Sequence, residues 1–168
     1  RYPAEAPPLH PGTDYLLVVR DNNTGRASTE DPARGLGFQL LDEAGRRTVA
    51  QRRAEILGLS SLDEPARQMA LAVYYLGLEW EGERRLWGEA WWLLEAVAQT
   101  QDAPAVYLHL GDALAAMRLP GEAEAAYRRA LQRAEVLGDI ETQAAAHAAA
   151  ASASTARIGS SAQDLAAR

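Results

Sequence analysis

The pattern of apolar and polar positions changes near residue 42 of this 168-residue chain. Before that point, short apolar runs at 14–20 and 36–41 alternate with turn-forming and polar stretches, which is typical of strands. After it, apolar residues recur every three or four positions to about residue 156, which indicates amphipathic helices. The sequence therefore predicts a mainly α-helical protein with a short β-hairpin on its N-terminal side.

Local signals predict where the helices begin and end. Ser61, followed three residues later by Glu64, matches a capping box at a helix start. Asp102 and Asp139 are the expected N-caps of two later helices. Gly138 is expected to end the preceding helix in a left-handed conformation, which glycine adopts without a steric penalty.

These patterns divide the chain into three segments. Residues 1–41 are expected to be an extended, proline-rich lead-in and the β-hairpin, because proline interrupts regular helix. Residues 42–157 form the predicted helical domain. Residues 158–168 are expected to be a flexible tail, since the last helix is predicted to end near residue 156.

Two segments of the helical part match each other. Leu76-Gly77 lies 34 residues before Leu110-Gly111, and each pair precedes a Gly-Glu-Ala run, at 88–90 and 121–123. These segments resemble tetratricopeptide repeats, which are helical hairpins of about 34 residues. The resemblance covers about 69–157 and implies antiparallel helical hairpins stacked as a fragment of an α-solenoid.

The second of these repeats follows the family pattern more closely than the first. By the resemblance, Gly111 and Ala123 allow two helices to approach closely, and Tyr127 fills the gap between repeats. The Gly-Glu-Ala runs are only 33 residues apart, so the first repeat has one extra residue in its turn. Two full repeats are fewer than the usual three. Helices at 43–57 and 140–157 are therefore expected to cover the two ends.

The N-terminal segment carries a second resemblance. Residues 9–15, followed by Leu17 and Val19, resemble the strand of fibronectin type III domains that contains the tyrosine corner. That resemblance implies a β-rich domain upstream of Arg1. The alternative is a lone hairpin packed on the helices, because an isolated two-stranded hairpin is marginal in water. Both interpretations stay open at this point.

Composition excludes several classes of chemistry. The chain has no lysine, which excludes P-loop phosphate binding and Schiff-base catalysis, and no cysteine, which excludes thiol nucleophiles and sulfur-ligated metals. His10, His109 and His147 lie far apart, without a second ligand at helical spacing. The sequence therefore predicts no catalytic residue, no metal site and no cofactor.

Charge and hydropathy narrow the choice of partners. The net charge is -6, and arginine pairs are interleaved with glutamate, which does not indicate a nucleic-acid interface. No apolar run approaches the length of a membrane span, so no membrane insertion is expected. The chain begins at Arg1, and its repeats are similar to those of exported bacterial proteins. These features favour the periplasm or cell envelope over the cytoplasm, while the oligomeric state is not indicated.

Four tryptophans lie within thirteen residues and are the strongest candidate for a binding surface. Trp87 and Trp91 share one helix face, whereas Trp92 lies about 100° from Trp91, so one face cannot bury all three. At least one of Trp87, Trp91 and Trp92 is expected to be exposed and to bind a protein partner. The alternative is internal packing against the hairpin or the first helix.

The tetratricopeptide resemblance implies a second surface, a groove lined by the first helix of each repeat. By alignment, this groove includes Leu71, Tyr74, Leu78, Leu108, Asp112 and Ala115. It lacks the lysine and asparagine set with which chaperone-type repeats bind a peptide carboxylate. A helix or an apolar loop is therefore the expected ligand.

The resulting hypothesis is a non-catalytic scaffold or adaptor for protein–protein interaction within a larger assembly. Two alternatives remain. One is an accessory or regulatory region of a larger enzyme or sensor. The other is a structural subunit that docks through its tryptophan-rich helix.

Overall fold

The computed structural model describes most of the chain. Its backbone is described for residues 8–10, 14–17, 36–39, 41–80, 83–84 and 86–166, and its side chains for 8–10, 41–78 and 86–155. The described chain is mainly helical, as the sequence predicted. Its helices are α1 (Glu43–Leu57), α2 (Glu64–Gly77), α3 (Trp87–Ala98), α4 (Pro104–Ala116), α5 (Pro120–Leu137) and α6 (Ile140–Ala166).

The chain divides into two compact units, Arg1–Arg52 and Arg53–Arg168. In the first unit, strands β1 (Asp14–Leu17) and β2 (Leu36–Gln39) pair antiparallel. Both strands lie within the apolar runs that predicted them, and the side chain of Tyr15 lies outside the described residues. Whether this pair belongs to a fibronectin-like sheet therefore stays a prediction.

The second unit is built by helices that pack in sequence order. Each helix from α2 to α6 contacts the next, and α4 also contacts α2 and α6. Between α2 and α3, the two-residue strands β3 (Glu79–Trp80) and β4 (Glu83–Arg84) pair antiparallel. None of the described helices is both long enough and apolar enough to cross a membrane.

Small residues form much of the helix packing. The buried face of α5 consists of Ala123, Ala126, Tyr127, Ala130 and Ala134. Alanine leaves room for a neighbouring helix backbone and loses no side-chain entropy on burial. Gly111 of α4 likewise allows close helix packing, because a β-carbon at that position would overlap the ring of Tyr127.

The buried face of α2 corrects the repeat alignment. Its buried residues precede their counterparts in α4 by 35 positions, namely Leu71 and Val106, Ala72 and Tyr107, and Tyr75 and Leu110. The buried residues of α3 precede those of α5 by 33 positions, namely Ala90 and Ala123, Leu94 and Tyr127, and Val97 and Ala130. Leu76-Gly77 and Leu110-Gly111 therefore do not hold the same place relative to these buried faces, and they differ by one residue. The segment between α2 and α3, which contains β3 and β4, is longer than the segment between α4 and α5.

Two predicted helix starts are also wrong. Asp63, not Ser61, is the N-cap of α2, and its carboxylate accepts a hydrogen bond from the Ala66 amide at 2.9 Å. Glu64 is the first helical residue, so it cannot hold the N3 position that a capping box requires. Asp102 does not cap α4 either, because its carboxylate accepts a hydrogen bond from the Tyr107 hydroxyl at 2.9 Å.

The α5–α6 junction follows the prediction. Gly138 adopts the left-handed conformation with φ 69°. Asp139 accepts hydrogen bonds from the Thr142 amide at 3.0 Å and from its hydroxyl at 2.6 Å. However, α6 continues to Ala166, past the predicted end near residue 156. The sequence beyond that point contains no proline, and a single glycine, Gly159, costs only about 1 kcal/mol in a helix.

Candidate functional site

The first candidate site is a shallow apolar depression beside α3, here called the tryptophan surface. It has a volume of about 470 Å³, and its lining includes Arg53, Leu71, Glu89, Trp91, Trp92 and Met117. Leu71 contributes from α2, and Met117 directly follows α4. The depression therefore combines residues from several helices of the second unit.

Helix geometry explains why Trp92 is exposed. Ala90, Leu94 and Val97 form the buried face of α3. Trp92 is two residues from both Ala90 and Leu94, which places it about 200° around the helix from each of them. Its side chain is accordingly 70% exposed. The expectation that at least one of these tryptophans is exposed is confirmed at Trp92, whereas a role in partner binding stays a prediction.

The neighbouring aromatic residues extend this exposed patch. Trp91 is half-buried, and its ring meets that of Trp92 nearly edge-to-face, with centroids 6.3 Å apart. Tyr75 lies buried in the lining, and burial raises the pKa of its hydroxyl. Glu89 raises this pKa further, while Arg53 opposes the shift. The aromatic patch is thus bordered by one acidic and one basic side chain.

Arg84, Arg85 and Glu89 flank the tryptophans in the sequence, and they predict a polar rim around them. Glu89 lines the tryptophan surface, whereas the side chains of Arg84 and Arg85 lie outside the described residues. Arg53 of α1 also lines the surface. No local signal could assign it to this rim, because α1 and α3 are distant in sequence.

The second candidate site, here called the helix groove, has a volume of about 510 Å³. It is lined by residues of α2 to α5, namely Val73, Leu76, Gly77, Trp87, His109, Asp112, Ala115, Ala116 and Tyr127. Most of this lining is apolar. The polar atoms come from the four residues His109, Asp112, Trp87 and Tyr127.

Asp112 is the centre of a hydrogen-bond network in the helix groove. Its Oδ1 accepts a hydrogen bond from the Tyr127 hydroxyl at 3.0 Å, and its Oδ2 lies 3.2 Å from His109 Nδ1. His109 and Asp112 are three residues apart on α4, so they share one face, while Tyr127 reaches across from α5. Burial is the main cause that raises the pKa of Tyr127, and the Asp112 carboxylate adds to the shift.

Trp87 presents an unusual polar atom in the same groove. Its indole Nε1 is buried and finds no hydrogen-bond acceptor within the described part of the chain. A buried donor without an acceptor costs about 1–3 kcal/mol, so such groups are rare in native proteins. In the sequence, Trp87 stands out only as one of several clustered aromatic residues. No sequence pattern predicts that its indole N–H lacks a hydrogen-bond acceptor.

The predicted groove residues are only partly brought together. Asp112 and Ala115 line the helix groove as expected. Tyr74, Leu78 and Leu108 are half-buried and do not belong to this lining. Leu71 is only 2% exposed and lines the tryptophan surface instead. These differences follow from the corrected alignment of α2, which places Val73, Leu76 and Gly77 at the groove.

A third region, which is charged, is formed by Arg129 and Arg133 of α5 together with Asp102. Asp102 forms ion pairs with Arg133 and, at 3.7 Å, with Arg129. The Arg129 guanidinium also lies 4.3 Å from the ring centroid of Tyr107. The hydrogen bond from Tyr107 is the main cause that lowers the pKa of Asp102, and the two arginines lower it further. This region is therefore a structural ion-pair network.

Within the described residues, no group of three or more histidine, aspartate or glutamate side chains is arranged to hold a metal ion. No protein-family model matches the chain, and neither the curated proteins nor the solved structures include a significant match.

Proposed function

We propose that this protein is a non-catalytic scaffold or adaptor whose protein partner binds at the tryptophan surface. The observation that carries this proposal is the 70% exposure of Trp92 on the face of α3 opposite the buried stripe. Tryptophan is among the residues most enriched at the centres of interfaces, where a few side chains provide most of the binding energy.

The surroundings of Trp92 support this function. Trp91 adjoins it, Met117 adds a flexible apolar side chain, and Arg53 and Glu89 provide charged groups of opposite sign. An apolar centre with a polar rim is the usual organisation of a protein interface. The open, shallow shape suits a partner segment with a protruding apolar stripe, so an amphipathic helix is the proposed ligand.

A tetratricopeptide-like arrangement is part of the same proposal. We infer that α2 with α3 and α4 with α5 form two hairpins of a short α-solenoid, with α6 at its C-terminal end. The close approach at Gly111 and the buried small residue Ala123 support this arrangement. The paired strands β1 and β2 are then the N-terminal β-hairpin. Repeats of this type make extended surfaces for protein ligands.

The experiment begins with co-purification from the native source, which supplies the partner. Binding of that partner is then measured for Trp92→Ala and for Val136→Ala. Val136 is 76% exposed and lies outside the tryptophan surface, so it controls for loss of exposed apolar area. Trp92→Ala is expected to weaken binding by more than about 1 kcal/mol, or roughly fivefold. Its melting temperature should match that of Val136→Ala.

Equal binding by the two variants would exclude Trp92 as the contact and overturn the proposed surface. The identity of the partner separates the alternative functions. A partner, or a covalently joined region, with a catalytic or sensor domain would identify the chain as an accessory region. A fixed complex with a purely structural protein would identify it as a structural subunit.

A further inference from the structure

We infer that the helix groove binds an arginine side chain presented by a protein partner, with Asp112 as the counter-charge. This inference shares one assumption with the proposed function, on which it rests, namely that the ligand is a protein. It concerns a different surface, since none of its key residues lines the tryptophan surface.

The charge of the groove indicates a cationic ligand. Among the described residues, Asp112 is the only acidic residue in the lining, and no described arginine lines the groove. His109 carries a charge only when its ring is protonated. The Asp112 side chain is 42% exposed, so a ligand can reach its carboxylate from the groove. Because apolar residues flank the carboxylate, an incoming cation would pair with it in a partly desolvated setting, where charge pairing is stronger than in bulk water.

The geometry of the carboxylate favours arginine. Each oxygen of Asp112 already has one partner, Tyr127 on Oδ1 and His109 on Oδ2. A carboxylate accepts about four hydrogen bonds, so each oxygen retains one acceptor position. A guanidinium offers two parallel N–H groups that match two adjacent carboxylate oxygens, whereas an ammonium is a point charge. Tyr127 is only 3% exposed and therefore holds the carboxylate in a defined orientation.

Trp87 provides a further contact for the same ligand. Its indole ring lines the groove, and indole is the best aromatic partner for a cation. Val73 and Leu76 offer apolar area to the methylene groups of an arginine side chain.

The test uses a blocked single amino acid, N-acetyl-arginine methylamide, with the full chain. Its neutral counterpart is the citrulline analogue, which keeps the shape of the side chain but has no charge. Binding is followed at pH 8 through the Trp87 indole N–H resonance, assigned by its loss in Trp87→Phe. The arginine probe is expected to shift this resonance, and the citrulline probe to bind at least tenfold more weakly.

Two variants complete the test. Asp112→Asn keeps an oxygen acceptor for the Tyr127 hydroxyl but removes the charge, and it should weaken arginine binding at least tenfold. Glu135→Gln removes one exposed carboxylate outside the groove and should leave binding unchanged. If Asp112→Asn fails to fold, the comparison of the arginine and citrulline probes on the unmodified protein tests the inference by itself.

The inference is overturned if the two probes bind equally, if Asp112→Asn binds like Glu135→Gln, or if the arginine probe leaves the Trp87 resonance unshifted up to its solubility limit. Trp92→Ala is expected to leave arginine binding intact. Failure at the tryptophan surface and failure at the helix groove are therefore separate results.

Discussion

At the scale of single residues, two glycines in equivalent-looking Leu-Gly pairs have opposite surroundings. A β-carbon on Gly111 would overlap the ring of Tyr127, which is itself buried and hydrogen-bonded to Asp112. A β-carbon on Gly77 would meet nothing within 4 Å. Close helix contact therefore requires glycine at position 111 and does not require it at position 77.

This contrast predicts opposite effects of one substitution. Gly111→Ala should lower the free energy of unfolding by about 1–3 kcal/mol, because the added methyl group would displace the Tyr127 ring from its hydrogen bond to Asp112. Gly77→Ala should be neutral or stabilising by up to about 1 kcal/mol, since alanine has the higher helix propensity. Chemical denaturation of both variants checks this. Equal destabilisation would instead restore the original Leu-Gly alignment.

The buried tyrosines predict a loss of stability at alkaline pH. Burial raises the pKa of Tyr75, Tyr107 and Tyr127 in the folded state. Above about pH 10, the unfolded chain releases these protons while the folded chain retains them. The unfolded state then binds fewer protons, so the free energy of unfolding falls as the pH rises.

Tyr127→Phe tests this linkage. The variant should be less stable at neutral pH by about 1 kcal/mol, because it loses the hydrogen bond to Asp112. Its stability should fall less steeply between pH 9 and 11 than that of the unmodified protein, as measured by denaturation at each pH. Tyr74→Phe is the control, because it removes a tyrosine hydroxyl that lies outside this hydrogen-bond network. If stability falls equally steeply with pH in Tyr127→Phe and in the unmodified protein, Tyr127 does not contribute to the alkaline loss of stability.

At the scale of secondary-structure elements, the start of α2 depends on one side chain. Asp63 accepts the hydrogen bond of the Ala66 amide, whereas Ser61 lies in the preceding turn. Asp63→Ala should therefore cost about 1 kcal/mol of stability, and Ser61→Ala less than about 0.5 kcal/mol. Thermal melts of the two variants distinguish them. A larger loss for Ser61→Ala would support the capping box after all.

The elements that the sequence predicted correctly are those with local signals. Gly138 and Asp139 specify the α5–α6 junction by their own conformational and hydrogen-bonding preferences, without reference to distant residues. Helical periodicity likewise indicated α4 and α5. The capping box failed because its motif occurs by chance two residues ahead of the true N-cap, Asp63.

The groove was harder to predict because the C-terminal part of α2 has no polar face. Every residue from 69 to 78 is apolar, tyrosine or glycine, so periodicity does not identify the buried side. The predicted orientation of α2 was therefore taken from its alignment with the second matching segment. That alignment shifted the predicted buried side of α2 by one residue. Arg53 of the tryptophan surface and the unpaired Nε1 of Trp87 depend on tertiary packing, for which the sequence contains no local signal.

At the scale of the whole molecule, the second unit is a series of helices in which each packs mainly on its neighbours. Such an arrangement needs a helix at each end to cover the last apolar face. At the C-terminal side this helix is α6, which contacts both α5 and α4 and buries Ala146 and Ala153. We therefore expect α6 to belong to the same cooperative folding unit as α4 and α5.

Two truncations test this expectation. A chain that ends after Gly138 lacks α6 and should melt at least about 8 °C lower, which corresponds to a loss of roughly 2 kcal/mol for a unit of this size. A chain that ends after Thr155 keeps Ala153, the last buried residue described, and should melt within about 2 °C of the full chain. Calorimetry measures both. If the chain ending after Gly138 melts like the full one, then α4 and α5 fold independently of α6, and α6 is an appended helix with no role in completing the core.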